Sequence, residues 1–287
     1  MPTQTEPMWC IMPVLAGPEM SEAALSDLLA QSVPVRVLIV NQGVDDLFRE
    51  RLERLAEQHA ELYLWHHVPP LPSLSATWNR ALDFAWESGA EEALVVNNDC
   101  RFHRDMVRLL QHARAYEDAL FVSAVGVTAD QFDPSVEYRD VGLPKAWFAD
   151  GGPHLQKGGP DFSCYLISKV GHQQYRFDEA FVPAFCEDLD MHRRYLLGGD
   201  GSRIFSVNLP YLHLASQTLK SVSPEQRQRI EHQIETVSRA HYLRAWGGPV
   251  NAETYLRKGD PSSAVTDGTA TTPHLQAHPP VVCAVQV

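Results

Sequence analysis

Long hydrophobic runs are missing from this sequence. No apolar stretch approaches the roughly 20 residues that a membrane-spanning helix needs. The first residues, MPTQTEPMWC, have neither the basic segment nor the apolar core of a secretory signal. We therefore expect a cytoplasmic protein without a transmembrane segment.

Cysteine is scarce, and so is positive charge. The five cysteines are odd in number, scattered and never in a CxxC pair, which argues against a disulfide framework or a zinc knuckle. We expect Cys100 and Cys186, which lie next to polar motifs, to be small buried fillers. The 24 Lys and Arg residues against 36 Asp and Glu residues give a formal charge of -12. This charge argues against binding nucleic acid or anionic membrane by bulk electrostatics, although a local basic groove stays open.

Strand and helix patterns alternate through the first half of the chain. Apolar strand patterns occur in MWCIMPVL, VRVLIV, ELYLWHHV and ALVV. Helical patterns lie between them, one with Ser21 as its predicted N-cap and one capped by Asp45 or Asp46. This order predicts an α/β fold with a mostly parallel sheet and helices on both faces.

Polar residues follow the strand LVV directly, in the stretch LVVNNDC. Ligands of such sheets bind beyond the carboxyl ends of the strands, where Asn97, Asn98 and Asp99 are expected to lie. Asp99 is therefore a candidate ligand for a metal or a substrate. A strand-end turn, in which these side chains satisfy backbone groups, explains the stretch equally well.

The second half contains an acidic helix start and a histidine after a strand. Glu187, Asp188 and Asp190 lie at the start of a predicted helix, where the dipole favours carboxylates. Neighbouring aromatic residues suggest an apolar wall, beside which a carboxylate can act as a general base. A further strand pattern, RIFSVNLPYLHL, presents His213, and a helix with a good start at Ser223 follows.

The ordered set of motifs resembles the GT-A fold glycosyltransferases, specifically the family 2 type that uses nucleotide-sugar donors. The motifs that carry the resemblance are IMPVL, LLAQSVPVRVLIV, VNQGVDD, TWNRAL, NND and the run from SCYLIS through YRFDEAF to FCEDLDMHRR. The resemblance covers roughly residues 9 to 215. It implies a GT-A, Rossmann-like domain over 1–215 and leaves a C-terminal helical extension over 216–258. From residue 259 to 287, the Ser, Thr, Pro and Ala bias predicts a disordered tail.

The resemblance also implies roles for individual residues. Asp99 would be the main ligand of a divalent cation, Mn²⁺ or Mg²⁺, with His213 as a second ligand. Asp188, or Glu187 beside it, would be the base of an inverting displacement, and Arg193 or Arg194 would reach a phosphate. The other donor-binding candidates are Asn41, Asp45, Asp46, Asn79, Asn97 and Asn98. Trp147, in a Gly-rich and Pro-rich stretch, is the candidate for contact with the acceptor.

Substrates and rival functions stay open at this level. A UDP-sugar is the favoured donor, although Asn41 stands where the family commonly has an acidic residue that recognises the base. A glycan, a small-molecule hydroxyl and a hydroxylated base of phage DNA are all open as acceptors. The rivals are a non-catalytic nucleotide-sugar binding module and, less favoured, a sugar-phosphate nucleotidyltransferase, which should have a Gly-rich loop with Arg after the first strand.

Overall fold

A computed structural model describes residues 6–67, 69–135, 148–149, 152–153, 162–214 and 217–264. The strands of this part of the chain are β1 (Met8–Val14), β2 (Val35–Asn41), β3 (Leu62–His66), β4 (Glu92–Val96), β5 (Cys100–Arg101), β6 (Phe121–Val127), β7 (Phe148–Ala149), β8 (Gly152–Pro153), β9 (Cys164–Ser168) and β10 (Ile204–His213). The α-helices are α1 (Pro18–Leu29), α2 (Asp46–Gln58), α3 (Leu74–Glu87), α4 (Met106–Glu117), α5 (Lys169–Gln174), α6 (Glu187–Leu197), α7 (Gln217–Ser221), α8 (Pro224–Gln233) and α9 (Ala240–Trp246). A π-helical turn, Ile234–Arg239, joins α8 to α9.

Eight of these strands form one sheet in the order β3-β2-β1-β4-β9-β6-β10-β5. The pairs β1–β2, β1–β4, β2–β3 and β6–β10 are parallel. In contrast, β9 runs antiparallel to β4 and β6, and β5 runs antiparallel to β10. The mostly parallel α/β sheet predicted from the sequence is confirmed, with these antiparallel pairs as an addition.

Apolar side chains project from both faces of the sheet. Helices cover both faces and bury these side chains, as predicted. Along β1, Cys10 and Met12 join the core beneath α1 and α2, whereas Trp9 and Ile11 join the core beneath α3. This alternation follows from the two-residue period of a strand. Because β1 is central, its two faces supply both cores and it is almost fully buried.

The first helix begins earlier than the sequence analysis predicts. Pro18 opens α1 and Gly17 precedes it with a φ of 80°. Proline suits the first helical position because its missing N–H has no partner there, and glycine adopts positive φ without a steric penalty. Ser21 therefore lies inside the helix, and its hydroxyl donates to the carbonyl of Gly17 at 2.7 Å.

The C-terminal helices pack on the segment around α6. Phe181 and Cys186 form a small buried apolar cluster with Tyr242, Ala245 and Trp246 of α9. Residues 259–264, which composition assigns to the tail, include a short 3₁₀ turn at Pro261–Ser263, and residues 265–287 lie outside the described part. Within the described ranges, every helix is too short or too polar to cross a membrane.

Candidate active site

The edge of the sheet brings Asp99 and His213 together. Asp99 follows β4 and precedes β5, and β5 pairs with β10 so that Cys100 lies opposite His213. The Asp99 carboxylate is buried, and its Oδ1 lies 3.6 Å from His213 Nε2. The family resemblance implies these two residues as metal ligands, and the strand register explains how they meet although they are distant in the chain.

The donor atoms at this edge fit a divalent cation. One ligand atom each from Asp99, Cys100 and His213 lies within 4.8 Å of the other two. Carboxylate and imidazole suit Mn²⁺, whereas the thiol of Cys100 is a softer ligand. Cys100 Sγ also lies 3.6 Å from the carbonyl of Ser163. The local sequence predicts only a buried core role for Cys100, because its pairing with His213 depends on a register that local patterns do not contain.

Asn98 connects the motif to two helices. Its buried amide donates to the carbonyl of Ala16 at 2.8 Å and to Ser21 Oγ at 2.7 Å, while its oxygen accepts from Thr218 at 3.0 Å. These contacts hold the turn before α1 and the start of α7 against the strand end. Asn98 thus acts as a structural anchor beside Asp99, and donor contact by this side chain stays a prediction.

Asn41 ends β2 and stabilises the following turn. Its Oδ1 accepts from the backbone N–H groups of Gly43 at 2.9 Å and Val44 at 3.0 Å, and its Nδ2 lies 3.0 Å from His66 Nδ1. The amide therefore has partners on both atoms. Asn41 lies at the carboxyl end of β2 with its hydrogen bonds directed within the protein, and its contact with a donor stays a prediction.

Gln42, the next residue, was not among the predicted site residues. Its Oε1 accepts from the backbone of Leu71 at 2.9 Å. Its Nε2 is buried and has no hydrogen-bond partner among the described residues. A buried donor without a partner is costly, so this amide is a candidate ligand-binding group. The polar ending of β2, VNQG, is the signal that could have indicated it.

The two aspartates after this turn differ in role. Asp45 is the N-cap of α2, and its carboxylate accepts from the backbone of Phe48 at 2.8 Å, as local capping chemistry predicts. Asp46 is exposed and pairs with Arg49 at 2.9 Å. Contact of either carboxylate with a donor nucleotide stays a prediction.

Asn79 lies fully buried on α3 and ties this helix to the loop before α6. Its Nδ2 donates to the carbonyl of Phe177 and to Glu179 Oε1, both at 2.9 Å. Its Oδ1 accepts from the Phe177 N–H at 3.2 Å and lies 3.0 Å from His172 Nε2. Trp86 Nε1 donates to His172 Nδ1, so His172 Nε2 carries the proton and donates to Asn79. Burial lowers the pKa of His172 to about 4, which keeps this tautomer neutral.

Two adjacent carboxylates begin α6. Glu187 is 5 % exposed, and burial, followed by repulsion from Asp188, raises its pKa to about 8. Asp188 is half-buried, and its Oδ1 accepts from the backbone of Leu189 at 2.8 Å. Glu187 therefore holds its proton more tightly than a free carboxyl group does, while Asp188 lies nearer to solvent.

The two arginines of α6 both have partners within the protein. Arg193 donates to the carbonyl of Tyr255 at 3.0 Å, and its guanidinium lies 5.0 Å from the ring centroid of Trp246. Arg194 pairs with Asp190 at 2.8 Å. The structure thus directs both side chains to the C-terminal segment and to α6 itself, and phosphate contact stays a prediction.

Two further candidates complete the set. Asn97 is half-buried directly after β4, and its backbone N–H donates to the carbonyl of Ser163 at 2.8 Å. Trp147, the predicted acceptor contact, lies outside the described residues. The structure therefore places Asn97 at the carboxyl end of β4, and its contact with a donor stays a prediction.

The sheet order, together with the similarity to solved structures, shows that the chain has the GT-A glycosyltransferase fold. It is similar to the 1–349 fragment of TarS from S. aureus, with 12 % identity and a TM-score of 0.54 over 83 % of this chain and 74 % of that chain. It is also similar to the mannosyltransferase PcManGT from Pyrobaculum calidifontis, solved with GDP-Man and Mn²⁺, with 14 % identity and a TM-score of 0.53 over 85 % and 66 % of the two chains. The same TarS fragment in complex with UDP-GlcNAc matches 79 % of this chain and 65 % of that chain, with 14 % identity and a TM-score of 0.53.

These similarities concern the fold. The chain spans 45 % of the longer TarS chain that it matches. At the level of sequence, no protein-family model and no curated protein matches the chain. Function is therefore inferred from the residues of the site.

Proposed function

We propose that this protein transfers a glycosyl group from a nucleotide-sugar donor to a hydroxyl acceptor. The observation that carries the proposal is the pair of Asp99 and His213, 3.6 Å apart at one edge of a GT-A sheet. Similar structures were solved with UDP-GlcNAc, or with GDP-Man and Mn²⁺, which agrees with a donor of this class.

Asp99 and His213 would hold the divalent cation, with Cys100 as a nearby third group. A bound Mn²⁺ or Mg²⁺ would neutralise negative charge on the diphosphate leaving group. Two protein ligands are enough for such an ion, because phosphate oxygens and water supply the rest. Mn²⁺ is favoured because it accepts the imidazole nitrogen more readily than Mg²⁺ does.

Asp188 is the proposed general base. The acceptor oxygen forms a bond to the anomeric carbon while the bond from that carbon to the diphosphate oxygen breaks. The nucleoside diphosphate leaves with the bonding electron pair, and the proton of the acceptor hydroxyl passes to the Asp188 carboxylate. A single displacement of this kind inverts the anomeric centre. Glu187 is less suited to this task because its raised pKa leaves it mostly protonated at neutral pH.

Gln42 is the proposed reader of the donor base. Its buried Nε2 can donate to a carbonyl oxygen, and uracil presents two such oxygens, so a UDP-sugar is the favoured donor. Asn41 would support this pocket through its hydrogen bonds to the turn.

The acceptor is proposed to be a glycan or a small-molecule hydroxyl. A formal charge of -12 repels the phosphates of DNA, so a hydroxylated base of duplex DNA is the less favoured acceptor.

The donor site is tested by thermal unfolding and calorimetry with UDP-, GDP-, dTDP- and CMP-sugars, each with and without Mn²⁺. A donor at about 100 times its Kd adds about 2.7 kcal/mol, which raises the unfolding midpoint by roughly 5–10 °C. We expect one nucleotide to give a metal-dependent rise that Asp99→Ala abolishes. The matched control Glu57→Ala, at an exposed carboxylate of α2, should keep the rise.

Two results would contradict the proposal in different ways. If no donor shifts the midpoint of the folded native protein, the nucleotide-sugar site does not exist. If a donor binds but the protein releases no nucleoside diphosphate from it with any hydroxyl acceptor, the chain is a binding module.

A further inference from the structure

The turn before α6 has an irregular backbone that needs support. Phe185 and Cys186, neither of them glycine, have φ angles of 76° and 71°. Such left-handed conformations are unfavourable for residues with a side chain, and they persist where the surrounding structure fixes them. They lie directly before Glu187 and Asp188, so whatever supports this turn also sets the position of the proposed base.

Part of the support comes from the C-terminal helices. Ser238 lies buried in the π-helical turn Ile234–Arg239, and its Oγ lies 3.0 Å from the carbonyl of Val182 and 2.8 Å from that of Ala184. One hydroxyl thus reaches two carbonyl groups of the irregular turn. Helical turns of the π type are rare and occur frequently at functional sites.

Lys258 provides the second part of the support. Its ammonium Nζ lies 2.5 Å from Asp178 Oδ2 and 2.6 Å from Asp190 Oδ1. The ammonium also lies 5.4 Å from the ring centroid of Phe181, a residue that lies between Asp178 and Asp190 in the sequence. Asp178 precedes the turn and Asp190 follows it, so one cation bridges both of its ends.

The two carboxylates that Lys258 bridges have few other positively charged partners. Asp190 has no exposed surface and contacts Arg194 and the indole N–H of Trp246 in addition to Lys258. Asp178 contacts His241 at 2.8 Å. Carboxylates removed from water need compensating partners. Loss of the ammonium would leave the fully buried Asp190 with one cation and the half-buried Asp178 with an imidazole.

The chain after α9 folds back to place Lys258. The backbone N–H groups of Thr254 and Tyr255 donate to the carbonyl of Trp246 at 3.0 Å, and that of Gly259 donates to the carbonyl of Ala245 at 2.7 Å. These bonds fix the backbone on both sides of Lys258 against α9. The ammonium is therefore delivered by ordered backbone rather than by a loose surface segment.

We propose that Lys258 is a positioning residue for the reaction proposed above: by bridging Asp178 and Asp190, it fixes the turn that presents Glu187 and Asp188. This proposal rests on the proposed glycosyl transfer for its catalytic part. Its structural part, that Lys258 holds the turn, stands on the contacts alone. The two parts predict different measurements, so each can fail separately.

The test compares Lys258→Met, which keeps an unbranched side chain but removes the charge, with Lys258→Arg and the native protein. Lys169→Met is the matched control, because Lys169, the first residue of α5, is a half-buried lysine that pairs with the exposed carboxylate of Glu91 at 3.6 Å. Hydrogen exchange of residues 178–190 measures the turn. Calorimetry with UDP and Mn²⁺ measures nucleotide binding, and release of UDP from UDP-GlcNAc measures turnover.

We expect Lys258→Met to speed exchange of residues 178–190 at least tenfold and to slow UDP release at least tenfold. The affinity for UDP should stay within twofold, because the proposed contacts with the nucleotide and its metal lie at the ends of β2, β4 and β10 and not at the turn before α6. Lys258→Arg should restore most of the exchange protection and of the turnover, and Lys169→Met should match the native protein. If Lys258→Met does not fold, Asp178→Asn breaks the same bridge from the other side and gives the same comparison.

Three outcomes would overturn the proposal. Unchanged exchange in Lys258→Met would show that Lys258 does not hold the turn, whatever the donor. Faster exchange with unchanged UDP release would show a purely structural contact. If the native protein neither binds UDP nor turns over any nucleotide-sugar, the proposed function fails and the catalytic part of this proposal fails with it, while the exchange data still decide the structural part.

Discussion

The buried carboxyl group of Glu187 should make stability depend on pH in an unusual direction. Glu187 is 5 % exposed, and its Oε2 has no hydrogen-bond partner among the described residues. Burial is the main cause that raises its pKa to about 8, and the neighbouring carboxylates Asp188 and Asp190 add to it. The folded protein therefore holds this proton more tightly than the unfolded chain does.

The size of the effect follows from the shift. The pKa rises from 4.5 to about 8, and each unit corresponds to about 1.4 kcal/mol. The stability that depends on the protonated group is complete below pH 4.5 and is lost as the pH rises through about 8. Ionisation of Glu187 should therefore reduce the free energy of unfolding by up to about 5 kcal/mol.

Glu187→Gln removes this titration while keeping the shape of the side chain. We expect the native protein to lose more stability than Glu187→Gln between pH 5.5 and pH 8.5, with a difference in unfolding midpoint of about 10 °C. Thermal unfolding followed by circular dichroism at several pH values measures it. Glu57→Gln, at an exposed carboxylate of α2, should follow the native curve.

Parallel curves for the native protein and Glu187→Gln would refute the reasoning. In that case the carboxyl group would ionise without a penalty, and the assignment of the base to Asp188 rather than Glu187 would lose its electrostatic argument.

Three further predictions concern single residues of the site. Asp188→Asn should lower kcat by about 10²–10⁴-fold while calorimetry shows unchanged donor affinity, because only proton transfer is lost; an unchanged kcat would exclude Asp188 as the base. Asn79→Ala removes the hydrogen bonds that hold the loop before α6 and should lower the free energy of unfolding in urea by about 2–4 kcal/mol, whereas a change below 1 kcal/mol would contradict that structural role. Gln42→Leu should weaken UDP binding about tenfold in calorimetry with Mn²⁺ binding unchanged by electron paramagnetic resonance, and equal UDP affinity would exclude Gln42 as the reader of the base.

Local chemistry was sufficient for the parts of the fold that depend on neighbours in sequence. The alternating pattern of strands and helices predicted the α/β sheet, and Asp45 caps α2 through Phe48, three residues later. Ser21 shows the limit of the same method. Its residue type suits an N-cap, but the pair of Gly17 and Pro18 starts the helix one turn earlier.

The direction of a strand within the sheet could not be predicted from its own run of residues. The fully buried strand β9 has the apolar run that any central strand has, whichever way it runs. Its antiparallel pairing with β4 and β6 joins strands that are distant in the chain, and the apolar run itself does not encode that direction. A two-residue strand such as β5 is too short to give a periodic signal at all.

The candidate site was predictable where a motif carries its own chemistry. Asp99 at a strand end and the carboxylates of α6 could be found from residue type and position. The partners of Asn79 and Arg193 could not, because they are supplied by segments far away in the chain. Cys100 was recognised as buried, but only the register of β5 and β10 places it beside His213.

The position of β5 at the outer edge of the sheet has a thermodynamic consequence. Edge segments of a protein open more readily than its centre, and β5 contributes only Cys100 and Arg101 to the ladder with β10. Asp99 directly precedes β5, and His213 lies on β10 opposite Cys100, so an ion that binds both would hold the two strands together. The affinity of the ion and the local stability of the sheet edge are then one linked quantity, and each can be measured through the other.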